Sequence, residues 1–270
     1  MIEVNNLSFE YKKGDPVLEA VSLTIKRGEM VTIVGQNGSG KTSLVKHFNG
    51  LLKPTRGDVY IDGVNTKETT IARLAKKVAY VFQNPNHQIF SNTVYNEIAF
   101  TLKRQKVADD LIKEKVMSVV AMLGIEHILE VHPMFINHAE KQMVAVASYL
   151  VTEPDVFIFD EPTSALDAFD SVTMSKIFEG LLRQGKTVIV ITHDMNFVVE
   201  YASRVVVMDR ARVVFDGQAA TLFAEEDLFH NTALEMPQIK RLAMRLSMAI
   251  PDTVYDAKGL KDYFLEKGVF

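Results

Sequence analysis

A glycine-rich segment near the start of the chain, residues 35–43, has the residue types of a loop that holds phosphate groups. Its spacing is G-x-x-x-x-G-K-[ST], in which two glycines, a lysine and a hydroxyl residue stand at fixed positions. The glycines allow the backbone to curl until several N–H groups point at one anion. Lys41 can reach the β- and γ-phosphates of a nucleotide, and the Thr42 hydroxyl can hold a bridging magnesium ion. The predicted phosphate-binding residues are Gly35, Gln36, Asn37, Gly38, Ser39, Gly40, Lys41, Thr42 and Ser43.

Two predicted elements must position this loop. The apolar run at residues 30–34 reads as a buried strand that ends at the loop, and residues 43–52 read as the helix that follows it. A helix in this place directs its positive N-terminal end at the same anion. Strand, loop and helix in this order indicate a triphosphate site, although many different nucleotide-using machines share such a site.

Further polar residues stand at the ends of three other predicted strands, namely Asp160 with Glu161, Gln83, and His193. The carboxyl ends of parallel strands meet at one edge of a sheet, so we expect these side chains to converge near the loop. Asp160 can bind magnesium through water or accept a hydrogen bond from Thr42, and Glu161 is placed to act on water. A solvated strand end and a structural histidine are the alternatives, and the upstream loop favours the chemical interpretation.

The hydrophobic pattern predicts an α/β protein. Short β-prone runs between residues 2 and 61 indicate an antiparallel sheet beside the phosphate-binding core. Residues 90–147 read as a helical insertion, in which 109–123 have the period of an amphipathic helix that Gly124 ends. Buried strands then alternate with helices up to residue 215, as in a parallel sheet, and residues 222–270 read as an appended helical segment broken by prolines.

The composition fits an ordinary globular protein and restricts the possible partners. Apolar residues make up 47% of the chain and charged residues 24%, and the net charge of −4 gives no electrostatic footprint for nucleic acid. The chain has no cysteine, which excludes disulfides and cysteine-based metal sites. Its apolar runs are far shorter than the roughly 20 residues that cross a bilayer. Because the first residues also lack a signal-peptide pattern, we expect a cytoplasmic protein that reaches a membrane only through a partner.

The order of these motifs resembles that of ATP-binding-cassette (ABC) ATPases. The resemblance covers residues 1 to about 220 and rests on Tyr11, Gly35–Ser43, Gln83, Val156–Pro162, Ser164-Ala165-Leu166-Asp167 and Thr192-His193-Asp194. It implies a P-loop NTPase fold of the ABC-ATPase type, with an antiparallel β subdomain and a helical subdomain at about 90–147 inserted into the domain 1–220. It also implies ATP and Mg²⁺ as ligands and hydrolysis of ATP as the activity.

The resemblance further implies a role for each motif. Tyr11 would stack on the adenine, although its position alone slightly favours a plain edge-strand aromatic. Gln83 would sense the γ-phosphate and the metal, and Asp160 would support magnesium. Glu161 would be the general base, and His193 would hold the γ-phosphate and the attacking water. The predicted catalytic residues are therefore Glu161, His193 and Lys41, and the predicted metal-site residues are Thr42, Gln83 and Asp160.

One motif departs from the family pattern. Two ABC ATPases sandwich two ATP molecules head to tail, and each site is closed by the partner's Leu-Ser-Gly-Gly-Gln signature, beside a loop that would here be Ser164, Ala165, Leu166 and Asp167. Residues 136–140 stand in place of that signature and read Ile136, Asn137, His138, Ala139 and Glu140. The side chains of His138 and Ala139 obstruct the close approach of a backbone to phosphate, and Glu140 brings a negative charge there. We therefore expect a heterodimer with a second ABC ATPase whose signature is intact.

A finer resemblance concerns energy-coupling factor (ECF) transporter ATPases. Residues 82–90, followed by Thr93-Val94, are similar to the stretch after the glutamine loop in that group, although Asn86 replaces a usual Asp. The tail, with residues 234–237, is similar to the group's C-terminal appendage, so 221–270 would be a dimerisation or regulatory appendage. The resemblance implies an importer of a vitamin or a transition-metal ion, in which the ATPases dock peripherally on the cytoplasmic face of the cell membrane. Their partners would be an integral membrane coupling protein and a separate substrate-binding membrane subunit.

Two other functions fit parts of the sequence. One is a soluble ABC ATPase that acts on ribosomes or nucleic acid; the single cassette, the absence of sustained heptads and the lack of a basic bias argue against it. The other is a nucleotide-binding regulatory subunit with very slow turnover, against which the intact Glu161 and His193 argue. The transported substrate cannot be read from this chain, because specificity in such systems lies in another polypeptide.

Overall fold

The computed structural model describes residues 1–164, 168–232, 234–246, 250–251 and 254–267. These residues form ten strands, numbered along the chain, in two sheets. The first sheet contains β1 (Ile2–Lys12), β2 (Asp15–Ile25), β4 (Arg56–Ile61) and β5 (Val64–Asn65). The second contains β3 (Met30–Gly35), β6 (Val78–Val81), β7 (Val156–Asp160), β8 (Thr187–Ile191), β9 (Arg204–Asp209) and β10 (Arg212–Gln218).

The first sheet is antiparallel, as predicted, with the order β2-β1-β4-β5. Its strand β1 is continuous through Asn6. The pairing register shifts between Val4 and Leu7, and Asn6 adopts a left-handed backbone with φ 48°. Because of this irregularity, the buried side chains of β1 change from even-numbered to odd-numbered positions. Ile2 and Val4 are buried before Asn6, and Leu7 and Phe9 are buried after it.

The second sheet has the order β10-β9-β3-β8-β7-β6, and its strands are parallel except for β10, which runs antiparallel to β9. Every residue of β3, β6, β7 and β8 is buried, as expected of strands that are covered on both faces. Their carboxyl ends lie along one edge of the sheet. The glycine loop, Gln83, Glu161 and His193 all follow these ends, which is why the fold can gather them.

The helices of the described residues are α1 (Lys41–Phe48), α2 (Ile71–Leu74), α3 (Val94–Arg104), α4 (Asp109–Leu123), α5 (His138–Leu150), α6 (Ala168–Arg183), α7 (Met195–Tyr201), α8 (Ala219–Leu222), α9 (Glu226–Asn231), α10 (Gln238–Arg245) and α11 (Ala257–Glu266). The predicted helix at 109–123 is confirmed at both ends, and α6 lies where the alternating pattern predicts a helix between two buried strands. Gly124 ends α4 in the left-handed region with φ 68°. The helix predicted at 43–52 starts earlier, at Lys41, and ends at Phe48, shortly before Gly50, whose φ of 75° is incompatible with a continuing helix.

Three apolar clusters hold these layers together. The largest joins α3, α4, α5 and α6 to one face of the second sheet. A second fills the space between the other face of that sheet, α1 and the first sheet. A third packs the chain that follows β10 against β3 and β9, through Phe223, Phe229 and Leu234. The parallel sheet is therefore the middle layer of the molecule, and its carboxyl edge is fixed from both sides.

The helical insertion lies between β6 and β7 in the chain, and short helices follow β10. The subdivision at residue 220 remains a prediction. Among the described residues, no helix combines the length and the apolar character that crossing a membrane requires.

Candidate active site

The glycine loop runs from the end of β3 to the start of α1. Gly35 and Gly40 have φ angles of 151° and 105°, which favour glycine. A Cβ atom on Gly35 would overlap the carbonyl oxygen of Met208, and one on Gly40 would lie 2.6 Å from the carbonyl oxygen of Val17. The loop is therefore pressed against neighbouring backbone, which accounts for the two glycines on local steric grounds.

Lys41 lies folded into the loop. Its Nζ donates hydrogen bonds of 2.8 Å to the backbone oxygens of Gly35 and Gln36, and its side chain is buried. Burial lowers the pKa of Lys41, and the nearby carboxylates of Glu161 and Asp160 act in the opposite direction. An ammonium that is desolvated and bonded only to neutral oxygens gains most from an anion beside it, so this arrangement suits a phosphate group.

Asp160 joins the loop to the end of β7. Its Oδ2 accepts a hydrogen bond of 3.1 Å from the Thr42 hydroxyl and another of 2.6 Å from the hydroxyl of Tyr80. The contact with Thr42 was expected from the sequence, whereas Tyr80 was not identified as a site residue. No local pattern marks Tyr80: it lies on the same face of the sheet as Asp160 only because β6 pairs with β7 so that Tyr80 is opposite Ile158. Burial and the charge of Asp160 raise the pKa of Tyr80 far above its usual range, so its hydroxyl remains a donor.

The oxygen donors at this corner fit a magnesium ion that is shared with a nucleotide. Thr42, Asp160 and Gln83 line one cavity and offer hydroxyl, carboxylate and amide oxygens, which are hard ligands. Among the described residues, no group of three or more His, Cys, Asp or Glu side chains could hold a metal by itself. Magnesium is typically bound through one or two protein groups together with substrate phosphates, so this donor set suits it.

Glu161 and His193 form the second polar pair of the site. His193 Nδ1 lies 2.7 Å from Glu161 Oε1, and the Thr192 hydroxyl donates a hydrogen bond of 3.2 Å to Glu161 Oε2. Glu161 is buried and has a left-handed backbone with φ 51°, a conformation that costs a non-glycine residue about 1–2 kcal/mol. Both carboxylate oxygens are thus held by neighbours, and the side chain is directed at the end of the glycine loop. The arrangement can orient or deprotonate a water molecule.

The structure brings most of the predicted site residues to one cavity of about 390 Å³. The residues that line it are Tyr11, Val17, Asn37, Gly38, Gly40, Lys41, Thr42, Ser43, Gln83, Asp160, Glu161, Ile191 and His193. Gly35 and Gln36 line an adjoining cavity of about 550 Å³, together with Ser164, His193 and Arg241. Ser39, which also belongs to the loop, is buried.

Tyr11 lies at the mouth of the smaller cavity, near the end of β1. Its hydroxyl is 3.2 Å from the Ser43 hydroxyl, and its ring packs edge-on against Phe9 with 4.8 Å between the centroids. The residue is 61% exposed, so one face of the ring has no cover within the described chain. A largely exposed ring at the mouth of the cavity is compatible with stacking on a base, and that role remains a prediction.

Residues 137–140 do not line the cavity that holds the glycine loop. Asn137 is the N-cap of α5, and it forms a reciprocal pair with Glu140: the Glu140 N–H donates to Asn137 Oδ1 at 2.8 Å, and the Asn137 N–H donates to Glu140 Oε2 at 2.9 Å. Glu140 Oε1 also lies 3.2 Å from His127 Nε2. The N-terminus of α5 is thus capped by its own carboxylate. The Asn-x-x-Glu spacing is the sequence pattern of this capping box.

The predicted dimer loop is described only in part. The Ser164 hydroxyl and N–H both donate to the backbone oxygen of Glu161, at 3.1 and 3.3 Å. Ala165, Leu166 and Asp167 lie outside the described residues.

The chain is similar to proteins of one known family. The family model for "ABC transporter" matches residues 18–164. The energy-coupling factor transporter ATP-binding protein EcfA2 of Acetivibrio thermocellus is 39% identical over 256 residues, which are 93% of this chain and 91% of that protein. Relatives differ in length, and the chain spans only 43% of another curated relative that is also 39% identical to it.

Solved structures show the same fold. CbiO1 from Clostridium perfringens, whose structure is described as part of the ABC transporter complex CbiONQ, superposes with a TM-score of 0.78 at 34% identity, and the match covers 90% of this chain and 98% of CbiO1. A dimeric post-hydrolysis state of the ATP-binding cassette MJ0796, bound to ADP and phosphate, superposes with a TM-score of 0.74 at 29% identity over 81% of this chain and 99% of that cassette. The predicted α/β P-loop fold is confirmed, and the chain belongs to the ABC transporter family, as an ABC ATPase.

Proposed function

We propose that the chain is the ATP-binding and ATP-hydrolysing subunit of an ECF-type importer, which energises uptake of a vitamin or a transition-metal ion. It would act peripherally at the cytoplasmic face of the cell membrane. The names of its relatives support this proposal: one is an energy-coupling factor transporter ATP-binding protein, and CbiO1 is described as part of a transporter complex. The implied partners are a second ATPase, an integral membrane coupling protein and a substrate-binding membrane subunit.

The observation that carries the proposed hydrolysis is the contact of 2.7 Å between Glu161 and His193, in the cavity that Lys41 and Thr42 also line. Lys41 and the loop N–H groups would bind the phosphates, while Thr42, Gln83 and Asp160 would hold Mg²⁺. The ion would neutralise charge that develops on the β- and γ-phosphates. Glu161 would receive the proton of the attacking water, and His193 would orient that water and the γ-phosphate.

The self-capped N-terminus of α5 supports the proposed heterodimer. A signature that binds phosphate needs free backbone N–H groups at the start of its helix. In this chain the negatively charged carboxylate of Glu140 already lies at the positive end of the helix, where it accepts from the Asn137 N–H at 2.9 Å. The chain's own ATP would therefore need an intact signature from the partner, whereas the partner's ATP would be closed by residues 137–140.

An exposed aromatic pair supports the docking of a membrane coupling protein between the glutamine loop and the helical insertion. Phe90 is 66% exposed and Phe100 40%, and their rings meet edge to face with 4.7 Å between the centroids. The buried carboxylate of Glu97 accepts hydrogen bonds from the N–H groups of Phe90 and Ser91, at 3.1 and 2.7 Å. The segment is thus held in a fixed shape while its aromatic side chains remain uncovered, as an anchor for a partner requires.

The segment after β10 supports a role for residues 221–270 in dimerisation or regulation. Leu234, Pro237 and Arg241 line the cavity of about 550 Å³ together with His193 and the first residues of the glycine loop. These three residues therefore lie at the edge of the nucleotide site.

Affinity purification of the tagged chain from solubilised membranes tests the proposed assembly. We expect a second cassette with an intact signature and an integral membrane protein to be recovered with it. Phe90→Ser combined with Phe100→Ser should lose the membrane protein and keep the second cassette, while Met122→Ser, at an exposed position on α4, should keep both. Recovery of only a homodimer, with no membrane protein, would contradict the proposal.

A further inference from the structure

Tyr80 contacts the candidate metal site from the strand next to Asp160. Its hydroxyl donates a hydrogen bond of 2.6 Å to Asp160 Oδ2. Tyr80 is 3% exposed and Asp160 is 6% exposed, so water competes little for this bond. Hydrogen bonds to a carboxylate are among the strongest that neutral side chains make, and this one is buried.

The two donors to Asp160 belong to different parts of the site. Thr42, 3.1 Å from the same oxygen, stands at the start of α1, directly after the glycines of the loop. Tyr80 stands inside the parallel sheet, where β6 pairs with β7 and the Tyr80 ring packs edge-on against Phe82 with 4.8 Å between the centroids. Tyr80 is therefore the donor whose position the core fixes, independently of the loop.

We propose that Tyr80 is a positioning residue of the ATPase site, which holds the Asp160 carboxylate in the orientation that a magnesium ion or its water ligand requires. Tyr80 does not line the nucleotide cavity, so it acts through Asp160 and not on the nucleotide. Within the described chain, both hydrogen bonds to this carboxylate go to Oδ2, which leaves Oδ1 for the metal. Residues that hydrogen-bond to a metal ligand and hold it in place commonly determine how tightly the site binds the metal.

This inference rests on the proposed magnesium site and is independent of the transport partners. Tyr80→Phe tests it because only the hydroxyl is removed. Binding of a fluorescent ATP analogue to the full chain is measured in EDTA and with excess Mg²⁺. The gain in affinity that Mg²⁺ confers is then compared between wild type and Tyr80→Phe. We expect the variant to bind as wild type does in EDTA and to lose about 10-fold or more of the gain that Mg²⁺ confers.

Two further variants of the chain test whether the effect is specific to the hydrogen bond of Tyr80. Tyr149→Phe removes a partly buried phenol from α5, and it should keep the full gain from Mg²⁺. Replacement of Tyr80 by p-aminophenylalanine returns a hydrogen-bond donor to the same position of the ring, and it should restore most of the gain. Rescue of this kind would not follow from a merely structural role.

The outcomes distinguish an error in the proposed magnesium site from an error in the proposed role of Tyr80. If wild type gains nothing from Mg²⁺, the magnesium site itself is wrong. If wild type gains and Tyr80→Phe gains equally, the positioning role is wrong. If Tyr80→Phe weakens binding as strongly in EDTA as in Mg²⁺, the residue serves the fold and not the metal, which also overturns the inference.

Discussion

The environment of Glu161 is unusual for a carboxylate at a strand end. It is buried, its backbone is in the left-handed region, and its two oxygens contact His193 and Thr192. A strained and desolvated carboxylate destabilises the folded state, and a smaller polar residue would form the same turn with less loss of stability. Its position beside the glycine loop indicates that the cost is offset by function.

At this scale we predict that Glu161→Gln lowers ATP hydrolysis in the assembled complex by about 10²- to 10⁴-fold, the usual contribution of a general base. ATP binding should persist, because glutamine preserves the shape and can still accept from Thr192. Glu153→Gln is the matched control, since Glu153 also has a left-handed backbone, φ 52°, but pairs with Lys115 at the surface. Unchanged turnover in Glu161→Gln would remove Glu161 from its assigned role.

The helices illustrate how local chemistry sets the limits of an element. Helix α4 ends where Gly124 adopts φ 68°, and the N–H of Gly124 bonds back to the oxygens of α4. A Cβ atom on Gly124 would meet nothing within 4 Å, so a side chain there would add backbone strain without a clash. Gly180, inside α6, also has open space around it but a right-handed helical backbone.

Replacing each of these two glycines by alanine should change the free energy of unfolding in opposite directions. Gly124→Ala should lower the free energy of unfolding by about 1–2 kcal/mol, because alanine must occupy the left-handed region. Gly180→Ala should raise it by about 0.5–1 kcal/mol, because glycine is the poorer helix former. Urea unfolding of both variants measures the difference. Equal effects would show that the conformation of residue 124 does not control the end of α4.

At the scale of the whole molecule, the chain separates two functions that an ABC dimer needs. The cavity with Lys41 and Glu161 lies at the carboxyl edge of the parallel sheet, whereas residues 137–140 begin α5 in the helical insertion and do not line that cavity. A single chain therefore cannot supply a signature to its own nucleotide cavity in the described arrangement. This separation is the reason to expect a second subunit, and the altered residues 137–140 are the reason to propose that this subunit is a different ATPase.

Restoring the signature tests this asymmetry. The chain alone should show little cooperative ATPase activity, because both sites of a homodimer would be closed by the self-capped helix. The variant Asn137→Ser, His138→Gly, Ala139→Gly, Glu140→Gln should gain cooperative activity of at least about 10-fold, since the two glycines allow the backbone to approach phosphate and the negative charge of Glu140 is removed. Thermal unfolding serves as the control, because two new glycines in α5 cost about 1 kcal/mol each. Strong cooperative activity in the unmodified chain would refute the argument.

Much of the fold follows from local patterns that the sequence displays. The glycine loop, the helix at 109–123 and the fully apolar runs of the parallel strands are set by residue spacing, backbone preference and periodicity over a few turns. The polar residues at the strand ends could be placed at one edge for the same reason, since a parallel sheet aligns its carboxyl ends. The sequence by itself thus determined the phosphate loop, the fold class and most members of the cavity.

The tertiary structure decided which of these residues touch. Tyr80 reaches Asp160 only because β6 and β7 pair with Tyr80 opposite Ile158, and a register between strands about 80 residues apart is not encoded in any local window. The contact of His193 with Glu161 likewise depends on the pairing of β7 with β8. Long-range register and packing set such distances, whereas sequence patterns set only the elements that carry the residues.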